Sequence, residues 1–277
     1  MRGLVVKKEA DLFEVKYGQN SYYCSARGAL KKQGVFVGDK VSFDHKNLVI
    51  NEVLPRKNIL IRPPMCNLDT MIIVIAPKPQ PDLYLVDKLV LFCTVKGINP
   101  VLCVNKVDQD PNMFKKIQSI YKGVVKVIKT SAVNNDISQL LSEIKGISAF
   151  AGQSAVGKSS LINSIFEKQL EKVGDFAKKV ERGKQTTRTV TLYKFKNGYI
   201  ADTAGFSKLD ESLIDIKSNE VARYFPEFLP YIPLCKFRSC LHKNSKDCAV
   251  IKAVQNGDIS QERYQSYLKF LSSKEGR

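Results

Sequence analysis

Residues 152–159 read GQSAVGKS, which fits G-x-x-x-x-G-K-S and fixes the local backbone around it. The glycines at 152 and 157 let successive backbone amides curl around a phosphate. The pattern works only where a strand feeds the loop and a helix leaves it. Both flanks are present: ISAFA precedes the loop as an apolar strand, and SSLINSIF follows with helical spacing from about Lys158. A chain carrying this unit must build an α/β sheet around it. Gly152, Gln153, Ser154, Ala155, Val156, Gly157, Lys158, Ser159 and Ser160 form the expected phosphate-binding set. Lys158 is expected to reach the terminal phosphates and Ser159 to ligate magnesium.

Three further strings sit at the ends of apolar runs. NKVD (105–108) follows PVLCV and fits a guanine reader, with Asp108 accepting from the ring N–H and amino group and Lys106 packing over the base beside Asn105. TSA (130–132) follows VVKVIK, and Ser131 and Ala132 are placed to meet the guanine carbonyl. DTAG (202–205) follows GYIA, where Asp202 can hold magnesium through water and Gly205 can sense the γ-phosphate. Their order is NKVD, TSA, GQSAVGKS, DTAG, whereas a Ras-like domain runs phosphate loop, D-x-x-G, NKxD, SA. The two halves are exchanged and each is intact, which is a circular permutation. A pocket assembled in space tolerates it because domain ends lie close together on the surface.

Around this core the periodicity changes twice. Residues 1–54 alternate in short runs (Phe13, Val15, Tyr17; Val41, Phe43) separated by the turns YGQN and DHKN, which predicts a small barrel of about five strands, an OB-fold or an SH3-like barrel. His45 is read as a turn residue. LPRKNILIRPP (54–64) reads as a linker. Between 70 and 150 strands alternate with helices, including 82–97, with Leu85, Leu89 and Phe92 on one face and Gly97 as its stop. From about 219 the chain is Pro-rich and irregular, closing on a helix with Ser260 as N-cap and Tyr264, Tyr267, Leu268 and Leu271 as its apolar stripe. The expected domains are 1–56 (barrel), 57–218 (permuted G domain, α/β) and 219–277 (a mainly α metal-binding module).

Forty-four basic residues against 27 acidic give a net charge of +17, which favours a polyanionic partner; the bland alternative is lysines spread over solvated faces. The charged N-terminus and the short apolar runs predict a cytoplasmic protein without a signal peptide or membrane span. Seven cysteines in a reducing compartment argue against a disulfide framework. Cys24, Cys66, Cys93 and Cys103 read as core residues. Cys235, Cys240, His242 and Cys248 instead have the spacing C-x₄-C-x-H-x₅-C, a closed four-ligand set expected to hold one structural zinc. Lys236, Arg238, Lys243 and Lys246 are interleaved with it as a basic knob.

Barrel, permuted motifs and C-x₄-C-x-H-x₅-C together resemble the ribosome small-subunit-dependent GTPase A family of bacteria, on NLDTMIIVIA, NKVD, GQSAVGKSSLIN, DTAGF and the metal ligands. The resemblance implies an OB-fold, hydrolysis of GTP to GDP with magnesium, a zinc domain, and action on the 30S subunit and its 16S rRNA late in assembly. It implies no DNA or membrane partner, and a monomer is the default. The family's switch segment reads G-x-H-T-T-T, whereas this chain has GKQTTRT, with Gln185 at the histidine position. Thr187 is aligned with the magnesium-facing threonine, Thr186 being the alternative. Phe206 stands where Ras-like enzymes carry a water-orienting glutamine. Gln185, Thr187 and Gly205 are the expected catalytic set. A GTP-gated RNA-binding placeholder with negligible turnover is the competing reading.

Overall fold

The computed structural model describes residues 1–173, 190–202, 206 and 209–275. The switch residues Gln185, Thr186, Thr187 and Arg188, and Gly205, lie outside the described residues.

The N-terminal strands are β1 (Arg2–Glu9), β2 (Leu12–Tyr17), β3 (Asn20–Ala26), β4 (Lys40–Asp44) and β5 (Val49–Val53), with helix α1 (Gly28–Gln33) between β3 and β4. β1 pairs with both β2 and β4, and β3 runs parallel to β5, so the five strands close in the order β1-β2-β3-β5-β4. Closure removes the free edges. Inward residues alternate along each strand as the period-2 pattern predicts, and Val5, Val15, Cys24, Val41, Phe43 and Ile50 fill the interior. This is the OB-like solution. His45 lies in the turn after β4.

The segment predicted as a linker is packed structure instead. It folds into a hairpin of β6 (Ile59–Leu60) and β7 (Met65–Cys66), with Leu60 and Met65 buried. Arg56 grips Asp39 with Nε at 2.6 Å and Nη2 at 2.7 Å and also donates to the Gly34 carbonyl. Asn58 and Asn67 satisfy backbone groups of Leu68 and Gly38 at 3.0 and 2.9 Å. The Pro- and Arg-rich composition conceals this because the polar side chains serve a buried backbone, which must be hydrogen-bonded.

The G-domain sheet contains β8 (Thr70–Ile75), β9 (Asn99–Val104), β10 (Lys126–Lys129), β11 (Ile147–Ala151), β12 (Thr191–Phe195) and β13 (Gly198–Asp202). Its order is β10-β9-β8-β11-β13-β12, parallel throughout except for the last pair. β8 and β11 are buried at every position, as central parallel strands covered on both faces must be. Helices α2 (Leu83–Lys96), α3 (Pro111–Ile120) and α4 (Ser138–Glu143) cross between the strands, and α5 (Lys158–Val173) follows the phosphate loop. Asp82 caps α2 by accepting from the Leu85 amide at 3.0 Å, and Gly97 ends it at φ 64°. A bridge from Lys7 to Thr191 joins barrel and G-domain sheet edge to edge.

Beyond residue 209 the chain runs through short 3₁₀ turns into α6 (Ala249–Gln255) and α7 (Gln261–Glu275). Tyr264, Tyr267, Phe270 and Leu271 are buried in the same core as Leu89 and Phe92 of α2, while Leu268 is only partly buried. Within that stripe lies a residue the hydrophobic pattern misses: Arg263 is 2% exposed. Its guanidinium meets Asp87 of α2 at 2.8 Å and Glu227 at 2.7 Å and stacks over Phe225. Cys24, Cys66, Cys93 and Cys103 are buried as expected. No described helix is long and apolar enough to cross a membrane.

Candidate nucleotide site and metal centre

The parallel strands end along one edge, and four motifs converge there. NKVD follows β9, TSA follows β10, the phosphate loop follows β11, and Asp202 is the last residue of β13. Open α/β sheets bind ligands at this carboxyl edge. The loop needs its glycines for concrete reasons. Gly152 has φ 119°, and a Cβ there would stand 2.1 Å from the Val74 carbonyl oxygen; Gly157 has φ 95°, and its Cβ would meet Asn105 Nδ2 at 2.4 Å.

The NKVD and GQSAVGKS loops brace each other directly. Asn105 Nδ2 donates to the Val156 carbonyl at 3.0 Å, while its Oδ1 accepts from Thr130 Oγ1 at 3.1 Å. Asn105 is 1% exposed, so these bonds are made out of water. Lys106, at φ 58°, reaches back to the Ala155 carbonyl at 2.8 Å. Its stem thus bridges the two loops, the placement needed to lie along a base. Ser131 Oγ donates to Asp108 Oδ1 at 2.5 Å and fixes the carboxylate. Ser131 and Asp136 close the TSA turn by reciprocal backbone bonds, and Ala132, the first residue of the turn, packs partly buried against the core.

Lys158 folds over the loop and donates to the Gly152 and Gln153 carbonyls at 2.7 and 2.6 Å. Burial pulls its ammonium below the ordinary lysine value, and phosphate oxygens in this cradle would oppose that shift. Gln153 straps the loop to the start of α2, accepting from the Asp82 amide at 2.9 Å and donating to the Gln80 carbonyl at 3.2 Å. Ser154, Ser159 and Ser160 complete the loop and the first turn of α5. Phe206 is 2% exposed in the core, and its carbonyl accepts from the Gly152 amide at 3.1 Å. The Phe206 backbone thus helps anchor the phosphate loop.

In the C-terminal module the ligand atoms of Cys235, Cys240, His242 and Cys248 lie within 4.8 Å of one another. His242 Nδ1 is 3.5 Å from Cys235 Sγ and 3.3 Å from Cys248 Sγ, and those two sulfurs are 3.9 Å apart. A tetrahedral ion with metal–sulfur bonds of about 2.3 Å spaces its sulfurs by roughly 3.8 Å, so the four groups fit one metal ion such as zinc. Burial lowers the His242 pKa and favours the neutral imidazole that ligates. Burial pushes the Cys248 thiol up to about 12, so a cation is needed to hold it as thiolate. Tyr264 and Tyr267 donate to the His242 and Leu241 carbonyls at 2.8 and 2.6 Å, packing α7 against the knuckle. Of the four interleaved cations, Lys236 pairs with Asp247 and Lys243 with Glu275, leaving Arg238 and Lys246 without ion-pair partners among the described residues.

An OB-like barrel, a phosphate loop placed after its guanine reader and a C-terminal Cys/His cluster define a circularly permuted GTPase. Comparison with known proteins gives the family. The RsgA GTPase family model matches residues 53–212. A small ribosomal subunit biogenesis GTPase RsgA from Ruminiclostridium cellulolyticum is 40% identical, covering 98% of this chain and 93% of its own. Its counterpart from Caldanaerobacter subterraneus is 40% identical over 98% of this chain and 95% of its own. Among solved structures, YjeQ from Thermotoga maritima aligns with a TM-score of 0.84 at 33% identity, covering 100% of this chain and 99% of that one. YloQ, described as a circularly permuted GTPase, aligns with a TM-score of 0.81 at 29% identity over 100% and 95%. The chain belongs to the RsgA GTPase family and is a GTP-hydrolysing enzyme, as the motifs led us to expect.

Proposed function

We propose that this GTPase acts in the biogenesis of the small ribosomal subunit, binding the subunit through its RNA and timing release by GTP hydrolysis. The observation that carries the reading is the near full-length similarity to relatives that bear the name small ribosomal subunit biogenesis GTPase, joined to a net charge of +17. In this reading Asp108 and Lys106 select guanine, Ser131 orients Asp108, and Ala132 supports the base through its amide. Gly152 to Ser160 wrap the phosphates, with Lys158 on the β- and γ-groups.

Magnesium would be held by Ser159, Asp202 and Thr187, and would neutralise charge between the terminal phosphates. Gln185 would place the attacking water, and Gly205 would report the γ-phosphate. Gly205 leads within a few residues to Glu211, which accepts from Tyr84 at 2.8 Å, and Lys274 of α7 donates to the Ile214 carbonyl at 2.5 Å. That short tether joins the γ-phosphate sensor to the metal-bearing module, so nucleotide state can bias how the module docks. Zinc at Cys235, Cys240, His242 and Cys248 would be structural, because four protein ligands leave no open position.

The test is co-sedimentation of the chain with purified small and large subunits under GTP, GDP and a non-hydrolysable analogue. Binding to small subunits that is stronger with the analogue than with GDP supports the proposal. Equal binding to both subunits, or to neither, rejects it.

A further inference from the structure

Resting on the reading that the C-terminal module meets small-subunit RNA, we propose that Phe237 is a stacking platform for one unpaired base of that RNA. Phe237 lies between the ligand-set residues Cys235 and Cys240 and is 54% exposed. The loop that carries it starts and ends on cysteines of the Cys/His cluster, and Leu234, just before Cys235 in sequence, is 70% exposed. Large apolar side chains exposed on a charged loop are not explained by packing, and exposed apolar groups rimmed by polar ones mark contact surfaces.

The surroundings select the partner. Lys236 holds its ammonium 5.7 Å from the ring centroid and is tied there by Asp247 at 3.2 Å. A base takes the opposite ring face. Arg238 next in sequence, and Lys246, neither in an ion pair among the described residues, then meet the phosphates on either side of that base. Between 235 and 248 the charge is four cations against one carboxylate, which complements a nucleic acid and repels a basic protein. A flat ring flanked by cations is how proteins hold splayed single-stranded RNA, where every base offers a π-face and duplex bases do not. The loop is therefore expected to choose an unpaired nucleotide over a helix, with little preference among the bases.

The sequence contains no tryptophan, so Phe237→Trp gives the full chain a single reporter at the site. Titration with protein-free small-subunit ribosomal RNA is expected to quench its emission, and a perfect RNA duplex is expected to leave it unchanged. Phe237→Ala is expected to weaken binding to the same RNA roughly 5- to 150-fold, the range of one base–aromatic stack, without altering the salt slope. Arg238→Glu is expected to weaken binding and flatten that slope. Normal RNA affinity for Phe237→Ala together with a loss for Arg238→Glu would overturn the stacking role while leaving the RNA reading of the module intact. Loss of binding to intact subunits but not to protein-free RNA would assign the ring to a ribosomal protein and overturn the proposal. If neither variant changes RNA binding, the module is not the RNA contact and both readings fall.

Discussion

Asn105 donates its side-chain amide to the backbone carbonyl of Val156, 51 residues further along the chain, at 3.0 Å. One bond thus ties the guanine-reading loop to the phosphate loop, and Lys106 to Ala155 adds a second at 2.8 Å. The permutation leaves the pocket intact because these cross-links act between loops in space. Asn105→Ala would strand the buried Val156 carbonyl and leave the Thr130 hydroxyl with Cys103 Sγ, at 3.2 Å, as its remaining partner. We expect a loss of about 1–3 kcal/mol in urea denaturation, since buried unpaired groups cost that much. GDP affinity, read by a fluorescent analogue, is expected to fall as well. Unchanged stability and affinity would mean that the two loops do not depend on each other.

Base selection is expected to rest on Asp108. Xanthine carries a carbonyl where guanine carries its amino group, so Asp108→Asn exchanges the acceptor that guanine needs for a donor that xanthine can use. The ratio of GTP to XTP affinity is expected to invert. A variant that retains its GTP preference places the base reader elsewhere.

The metal centre is expected to contain one zinc per chain. α6 and α7 are packed in the core shared with α2, so metal affinity is folding free energy chiefly for the loop 235–248 that carries the ligands. Cys240→Ser is therefore expected to lose the metal, loosen that loop and weaken subunit binding, with GDP affinity close to normal. Elemental analysis and proteolysis of the freshly purified chain read the first two effects. A chain purified without zinc under non-chelating conditions contradicts the site.

Arg263 compensates two buried carboxylates, Asp87 and Glu227. Burial drives the Asp87 pKa up and Arg263 opposes it. In Arg263→Met the ion pair is lost while the hydrogen bonds from Tyr121 and Ser266 remain, so burial carries the folded-state pKa of Asp87 further above its unfolded value. An acid with a raised folded pKa leaves stability intact at low pH and erodes it as pH rises through that value. The variant is expected to lose about 3–5 kcal/mol near pH 8 and to recover part of the loss near pH 5.5. A pH-independent loss would assign the effect to packing over Phe225 alone.

GQSAVGKS, NKVD, TSA and C-x₄-C-x-H-x₅-C were legible because each is short and local, and the structure brings the first three to one sheet edge and the ligand atoms of the fourth together. Periodicity located the barrel strands, the capped helix after Asp82 and the stop at Gly97. What was hidden depends on partners distant in sequence. Arg263 looks like a surface cation until Asp87, 176 residues earlier, is placed against it. Arg56 looks like linker charge until it closes on Asp39. Lys236 and Lys243 looked free until Asp247 and Glu275 neutralised them. Phe206 stands out in the sequence only for lacking a glutamine's amide, and its burial and the bond from Gly152 to its carbonyl emerge only in the fold.

In the proposed reading GTP turnover is coupled to the small subunit. Phosphate release by the purified chain, measured alone, with small subunits and with large subunits, tests it most directly. Placement of Gln185 and Thr187 at the nucleotide on the subunit is expected to raise turnover by less than the ~10³–10⁵ that a residue supplied in trans provides elsewhere. The predicted result is slow release alone, clear acceleration by small subunits, no acceleration by large ones, and a reduced accelerated rate for Gln185→Ala at unchanged GTP affinity. Equal rates in all three conditions, or acceleration by large subunits instead, would contradict the account.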